Sequence, residues 1–154
     1  MIFLCSGDGG HEEQMRRVSV LLEPLDDKSF FLLASRNFLR LENYICIGEV
    51  RSKKTGSLGL RYLCNALKII INAILLEVTD RDVAITTGPG NAALAALILK
   101  IKNRNVKIIH IETWSRFQSK SLAGRIMHNI ADRFYVQNIE LTDLYPKSIY
   151  SGRL

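Results

Sequence analysis

The apolar run Ile2-Phe3-Leu4-Cys5 breaks into Ser6-Gly7-Asp8-Gly9-Gly10-His11, and a helix-length segment follows at once. A strand that empties through glycines into a helix opens a Rossmann-like α/β domain. Glycine tolerates positive φ in the tight turn and lets a ligand approach the backbone. The helix behind it offers its first N–H groups and the positive end of its dipole, which together favour phosphate. Many nucleotide-binding and sugar-transfer folds share such a loop, so the rest of the chain must decide what this one binds.

The rest keeps the same rhythm. Strands are expected near 1–6, 29–34, 44–48, 82–86, 106–111 and 133–137. Helices are expected near 11–22, 58–78, 91–102, 119–131 and 139–145. Alternation of this kind implies a parallel sheet with helices on both faces. Nearly continuous apolar strands such as Val106–Ile111, which includes Lys107 and His110, fit that burial on both sides. At 154 residues and 47% hydrophobic content, one domain spanning 1–154 with one core is the expectation. Helix 58–78 carries Arg61, Asn65, Lys68 and Asn72 as a narrow polar stripe among leucines and isoleucines. It reads first as a helix buried between sheet and neighbouring helices. The other reading is a face that docks on a membrane surface or a partner.

Cys5, Cys46 and Cys64 are odd in number and lack CxxC spacing, so neither a disulfide framework nor structural zinc is expected. They read as reduced, mostly buried thiols of a cytoplasmic protein. No apolar run approaches the length of a membrane span, and residues 1–5 are too short for a signal peptide. Charge is uneven. Residues 1–35 hold six acids and three bases, residues 36–61 six bases and two acids, and residues 100–133 eight bases and two acids. That pattern suits phospholipid headgroups, a pyrophosphate substrate or nucleic acid, and equally an ordinary solvated basic surface.

Three constellations carry candidate chemistry. In the first, Gly7, Gly9 and Gly10 form a phosphate-cradling loop. His11 stands at a helix start, where the dipole favours the neutral imidazole of a general base. The second strand, Phe30 to Leu33, ends in Ala34-Ser35-Arg36 without a carboxylate. NAD therefore fits poorly, and NADP survives only through Arg36. In the second, Thr87-Gly88-Pro89-Gly90-Asn91 turns from strand to helix, leaving backbone amides for an anion. The two glycine turns should share the C-terminal edge of the sheet. In the third, Glu112 ends a strand as a second candidate base or hydroxyl acceptor. Arg116 is its cationic neighbour, and the plain alternative is a Glu112–Arg116 ion pair. The Asp80-Arg81-Asp82 pattern precedes its strand, on the opposite edge, and reads as a solvated turn.

Taken in order, these pieces resemble the membrane-recruiting, acceptor-side subunits of the two-part N-acetylglucosaminyltransferase of asparagine-linked glycosylation, and related bacterial polysaccharide-synthesis subunits. Gly7-Asp8-Gly9-Gly10-His11 is similar to the family's Gly-Ser-Gly-Gly-His opening. Glu49-Val50-Arg51 with Gly56-Ser57 is a shortened likeness of its Arg-x-Arg-x-x-Gly-x-Ser segment. Thr87-Gly88-Pro89-Gly90 resembles Asn-Gly-Pro-Gly, and Glu112 to Arg116 resembles Glu-Ser-x-x-Arg. Ser119–Gly124, Ala131–Gln137 and Tyr145–Gly152 follow in the family's order.

The resemblance implies the N-terminal half of a GT-B glycosyltransferase, which needs a separate donor-binding subunit and is inactive alone. It implies inverting, metal-independent transfer of N-acetylglucosamine from UDP-GlcNAc, held mainly by that partner, to a polyprenyl-diphosphate-linked sugar. No cofactor is expected. His11 is implied as catalytic base, with Glu112 second. Gly7, Gly9, Gly10, Arg51, Gly88, Pro89, Gly90, Asn91 and Arg116 are implied around the acceptor phosphates. The expected partners are the donor subunit, the polyprenyl-linked sugar and a membrane surface, with no nucleic acid; attachment would be peripheral, on the cytoplasmic face. Asp8 departs from the family by placing a negative charge beside the phosphate loop. Alternatives are a noncatalytic membrane scaffold or a subunit serving another UDP-hexose.

Overall fold

The computed structural model describes residues 1–25, 29–48 and 60–154, with side chains of the last stretch from 63 onward. The segment holding Arg51, Lys53, Lys54, Gly56 and Ser57, and the Arg61 side chain, lie outside the described residues. In chain order the elements are β1 (Ile2–Cys5), α1 (Gly10–Leu22), β2 (Phe30–Ala34), β3 (Tyr44–Cys46), α2 (Leu60–Leu75) and β4 (Val83–Thr86). They continue as α3 (Gly90–Lys102), β5 (Lys107–Ile111), α4 (Leu122–Ile130), β6 (Arg133–Val136), α5 (Leu141–Leu144) and β7 (Ile149–Tyr150).

The strands form one sheet in the order β3-β2-β1-β4-β5-β6-β7, and every neighbouring pair is parallel. Successive side chains on a strand point to opposite faces, so each strand feeds two cores. Phe3, Cys5, Leu33, Ala84, Ile108 and Phe134 face the core under α2, α3 and α4. Ile2, Leu4, Leu32 and Ile85 pack with Met15 and Val18 of α1 on the other face. Ala92, Ala93, Ala95 and Ala96 of α3 are buried; their small side chains let α3 lie close to the sheet, between α2 and α4. This is the doubly wound, Rossmann-like α/β arrangement expected from the sequence.

Strand order reverses direction at β1, whose neighbours are β2 on one side and β4 on the other. In open parallel sheets, ligands bind at such a switch point, beyond the C-terminal strand ends. The register sets Cys5 beside Thr86, so the two glycine turns emerge side by side.

The structure departs from the sequence reading in four places. β7 has only two residues, too few to register as an apolar run. Helix α4 starts after Ser121, whose hydroxyl accepts from Gly124 N–H at 2.7 Å. Cys46 and Cys64 are exposed, and only Cys5 is buried; burial pushes the Cys5 thiol up to about 12. Helix α2 is the largest correction, because it is not enclosed. Leu63, Leu67, Ile71 and Ile74 are 59%, 49%, 55% and 53% exposed, whereas Asn65 and Asn72 are half-buried beside the core residues Ile69 and Ala73. The apolar strip faces outward. Among the described residues, no helix is long and apolar enough to cross a membrane.

Candidate acceptor crevice

The loops after β1 and β4 lock together before any ligand is considered. The hydroxyls of Ser6 and Thr87 both donate to the His11 carbonyl, at 3.0 and 3.1 Å. Gly7 is buried against the Pro89 ring, and a Cβ at Gly7 would collide with that ring. Gly88 has φ +77°, and a Cβ there would sit 3.2 Å from His11 Cε1. Both glycines are therefore required by close approach, and Gly88 also by its left-handed backbone. Gly9, Gly10 and Gly90 are exposed instead, so their backbone is what a ligand would meet.

His11 is half-buried on the first turn of α1. Its Nδ1 lies 2.6 Å from the Thr87 carbonyl oxygen. A carbonyl only accepts, so Nδ1 carries the proton and donates it, and the basic lone pair of the neutral ring belongs to Nε2. A hydrogen bond of this kind fixes tautomer and ring orientation, as the orienting partner of a catalytic base does.

The helices that begin at the crevice differ from the next one along the edge. Neither α1, with Gly9 at its N-cap, nor α3, with Pro89 there, has a side-chain cap hydrogen bond. Helix α4 has one, from Ser121. First-turn N–H groups without a capping side chain are the donors an anion can use. Asn91 is 2% exposed, and its Nδ2 donates to the Gly48 carbonyl at 3.4 Å. Its side chain thus ties the β3 and β4 loops, and only its backbone N–H belongs to the anion-facing turn.

The third constellation folds differently. Glu112 is 3% exposed. Its Oε2 accepts from Ser121 Oγ at 2.9 Å and Tyr145 Oη at 3.0 Å, and its Oε1 accepts from Thr113 N–H at 3.0 Å. Arg116 is not among these partners; it is exposed and donates to Ser119 Oγ at 2.9 Å within its own loop. The alternative of a Glu112–Arg116 ion pair is not formed; a buried clamp holds the loop from β5 to α4 instead. Tyr145, pushed well above the usual phenol range by burial and by the Glu112 carboxylate, is a member the sequence reading missed. The sequence reading also missed Glu12 on α1, outside the clamp, which is 6% exposed and paired with Arg16 at 3.0 Å and Arg36 at 2.7 Å. Arg36, on which the NADP alternative rested, is thus engaged with Glu12. Asp82 accepts from Thr79 N–H at 2.8 Å, and Asp80 from Asn103 at 2.9 Å, at the opposite edge.

A family model described as "Oligosaccharide biosynthesis protein Alg14 like" matches residues 1–154. The chain belongs to that family. Among curated Alg14 relatives, named UDP-N-acetylglucosamine transferase subunits, the chain is 36% identical to the Schizosaccharomyces pombe protein over 74 residues. That match covers 46% of this chain and 35% of the relative. It is 25% identical to the Kluyveromyces lactis protein over 185 residues, covering 100% of this chain and 78% of the relative. The human protein matches at 35% over 84 residues, or 52% of this chain and 39% of that one. Several matches thus span little more than a third of the Alg14 relatives' length. Among solved structures, Acinetobacter baumannii MurG superposes on 99% of the chain with a TM-score of 0.61, at 14% identity and over 43% of its own length. UDP-N-acetylglucosamine 2-epimerase from Rickettsia bellii does so with the same score and identity, over 44% of its length. These two likenesses establish the fold.

Proposed function

We propose that this chain is the acceptor-side half of an N-acetylglucosaminyltransferase, completed by a donor-binding subunit. The observation that carries the reading is the convergence, at the β1/β4 switch point, of two helix N-termini without side-chain caps and an imidazole whose tautomer the Thr87 carbonyl fixes. The exposed backbone at Gly9, Gly10 and Gly90, with the Asn91 N–H, would hold the diphosphate of a polyprenyl-linked sugar. His11 Nε2 would take the proton of the acceptor hydroxyl as its oxygen attacks the anomeric carbon of UDP-GlcNAc. The bond from that carbon to the UDP oxygen breaks as the glycosidic bond forms, UDP leaves with the electron pair, and the centre inverts. No metal is invoked; the helix ends and the partner's nucleotide site would carry the charge. Glu112, clamped in its loop, serves as a positioning residue for that wall of the crevice. Arg51 and Arg116 are held as cationic contacts of the acceptor.

Two surfaces support the assignment of partners. Ile109, Ile111 and Tyr135 line a cavity of about 720 Å³ with Val20 and Leu21, on a sheet face that parallel architecture normally covers; a donor subunit would cover it. The outward strip of α2 suits peripheral attachment to the cytoplasmic leaflet, where the polyprenyl chain lies. Reconstitution tests the reading. The chain, a donor subunit, UDP-GlcNAc and a polyprenyl-diphosphate-GlcNAc acceptor should together yield the disaccharide lipid, and neither protein should do so alone. His11→Ala should lower turnover by about 10²–10⁴; unchanged turnover in that variant removes His11 from the mechanism.

A further inference from the structure

A second concave site lies away from the crevice. Lys120, Arg125, His128, Asn129 and Tyr145 line a hollow of about 460 Å³ beside α4, within the size range of pockets that hold small ligands. Lys120 and Arg125 are exposed cations. Lys147 adjoins them, its backbone N–H donating to His128 Nε2 at 3.4 Å. Lys120 lies over the Tyr145 ring at 5.3 Å, which keeps its ammonium at the rim. Glu112, behind Tyr145, has both its oxygens already accepting hydrogen bonds. Burial, then the ammonium groups of Lys120 and Lys147, hold the His128 imidazole below its ordinary range. The potential in the hollow is thus positive, lined by an ammonium, a guanidinium and the Asn129 amide, whose Nδ2 also donates to the Arg125 carbonyl at 3.1 Å.

We infer that this hollow binds a phosphate group through Lys120, Arg125 and Asn129, with His128 at its floor. Phosphate matches both the charge and the donor set, since Arg125 can engage two oxygens at once and Lys120 acts as a point charge. Leu122 and Ile126, one turn apart on α4, are 75% and 44% exposed beside it. A phospholipid headgroup would therefore place its phosphate in the hollow with those side chains against its acyl region. A free phosphate compound would use the same donors without them.

The test follows the His128 imidazole by NMR in the whole chain during titration with inorganic pyrophosphate. In parallel, it measures cosedimentation with phosphatidylcholine vesicles, with and without phosphatidylglycerol. A saturable His128 shift with pyrophosphate establishes the site for free phosphate. Sedimentation that depends on phosphatidylglycerol, without a pyrophosphate response, establishes it for the headgroup. In either case Lys120→Ala and Arg125→Ala should each weaken binding about fivefold and together about 25-fold. Arg104→Ala should change nothing, and Arg125→Lys, which keeps the charge but not the two-oxygen fork, should recover only part of the loss. Lys120 is exposed and outside the helix, so its variant keeps the test readable if Arg125→Ala disturbs folding. The inference is overturned if neither probe engages the chain, or if the double variant binds as the wild type does.

Discussion

Replacing Glu112 by alanine tests whether that carboxylate is a structural clamp or a reacting group. Its oxygens receive hydrogen bonds from Thr113 N–H, Ser121 Oγ and Tyr145 Oη, and Tyr145 is 1% exposed. Alanine strands those donors. A buried donor left without a partner costs about 1–3 kcal/mol, so with water partly relieving the Thr113 and Ser121 groups the loss is about 3–4 kcal/mol. Unfolding entropy of about 2.1 cal/mol/K per residue converts this to a fall of about 10 °C in Tm for a chain of this length. Glu112→Gln keeps the shape and one strong acceptor and should lose about 4 °C. Gly124→Ala should be at least as damaging as Glu112→Ala, because its Cβ would meet Glu112, Tyr145 and Ser121 together. Thermal unfolding followed by circular dichroism decides the matter. A Glu112→Ala variant within about 3 °C of wild type would refute the clamp on the scale used here. A Glu112→Gln variant with wild-type Tm but turnover reduced by about 10² or more would return Glu112 to the chemistry.

Two further outcomes follow from the same accounting. His110 is fully buried, with no hydrogen-bond partner for either ring nitrogen among the described residues, and stacks on Phe134 at 4.9 Å. Burial, then the nearby His11, pulls its pKa from 6.5 down to about 3. Above the unfolded value both states are neutral; as pH falls toward about 3, the unfolded chain takes a proton that the native one refuses, and stability drops. His110→Leu should remove that drop, leaving the variant ahead by about 2–3 kcal/mol near pH 4.5 in urea unfolding; parallel pH curves would contradict the burial argument. On α2, Leu67→Ser with Ile71→Ser should leave stability within about 1 kcal/mol, because both side chains are half exposed. If the strip lies in lipid, the pair should weaken vesicle cosedimentation about 25-fold, each remaining half side chain counting for about 1 kcal/mol. No change would detach α2 from the membrane.

The fold was legible where one local pattern had one tertiary solution. The apolar run Ile2–Cys5 and the mostly apolar Val106–Ile111 are too short for helices and are bounded by turn residues, which marks them as strands, and the glycine turns after β1 and β4 fix the crevice at the sheet edge. The site was legible as a location but not as a set of contacts. His11 and Thr87 are 76 residues apart and Glu112 and Tyr145 are 33 apart, so their pairing depends on strand order, which periodicity does not carry. The alternative of a Glu112–Arg116 ion pair rested on nearness in sequence, but residues four apart face each other only on a helix, and here they span a loop. Helix α2 misled for a related reason. Its apolar and polar stripes are readable, yet which stripe faces the sheet depends on neighbours. Asn65 and Asn72 lie on the inward side, with Asn65 close against Gly48, and the leucines turn outward.

The carboxylate of Asp8 stands beside the turn that would receive phosphate. Two unit like charges about 4 Å apart repel by about 4 kcal/mol at an effective dielectric of about 20, enough to expel a diphosphate from that spot. The fold directs the charge elsewhere. Asp8 accepts from Ser35 at the end of β2, and Glu12, one turn into α1, is held by Arg16 and Arg36 on the same side. His11 leans the other way, to Thr87 at the end of β4. The first turn of α3, on that β4 side, carries no acidic residue. The crevice is thus divided, with acceptors and hydroxyls toward β2 and donors toward β4. In the proposed acceptor complex, the phosphates would lie over Gly90 and Asn91 and the sugar toward Asp8. Of the two helix N-termini at the switch point, α3 would therefore be the stronger anion site, since its first turn carries no acidic residue.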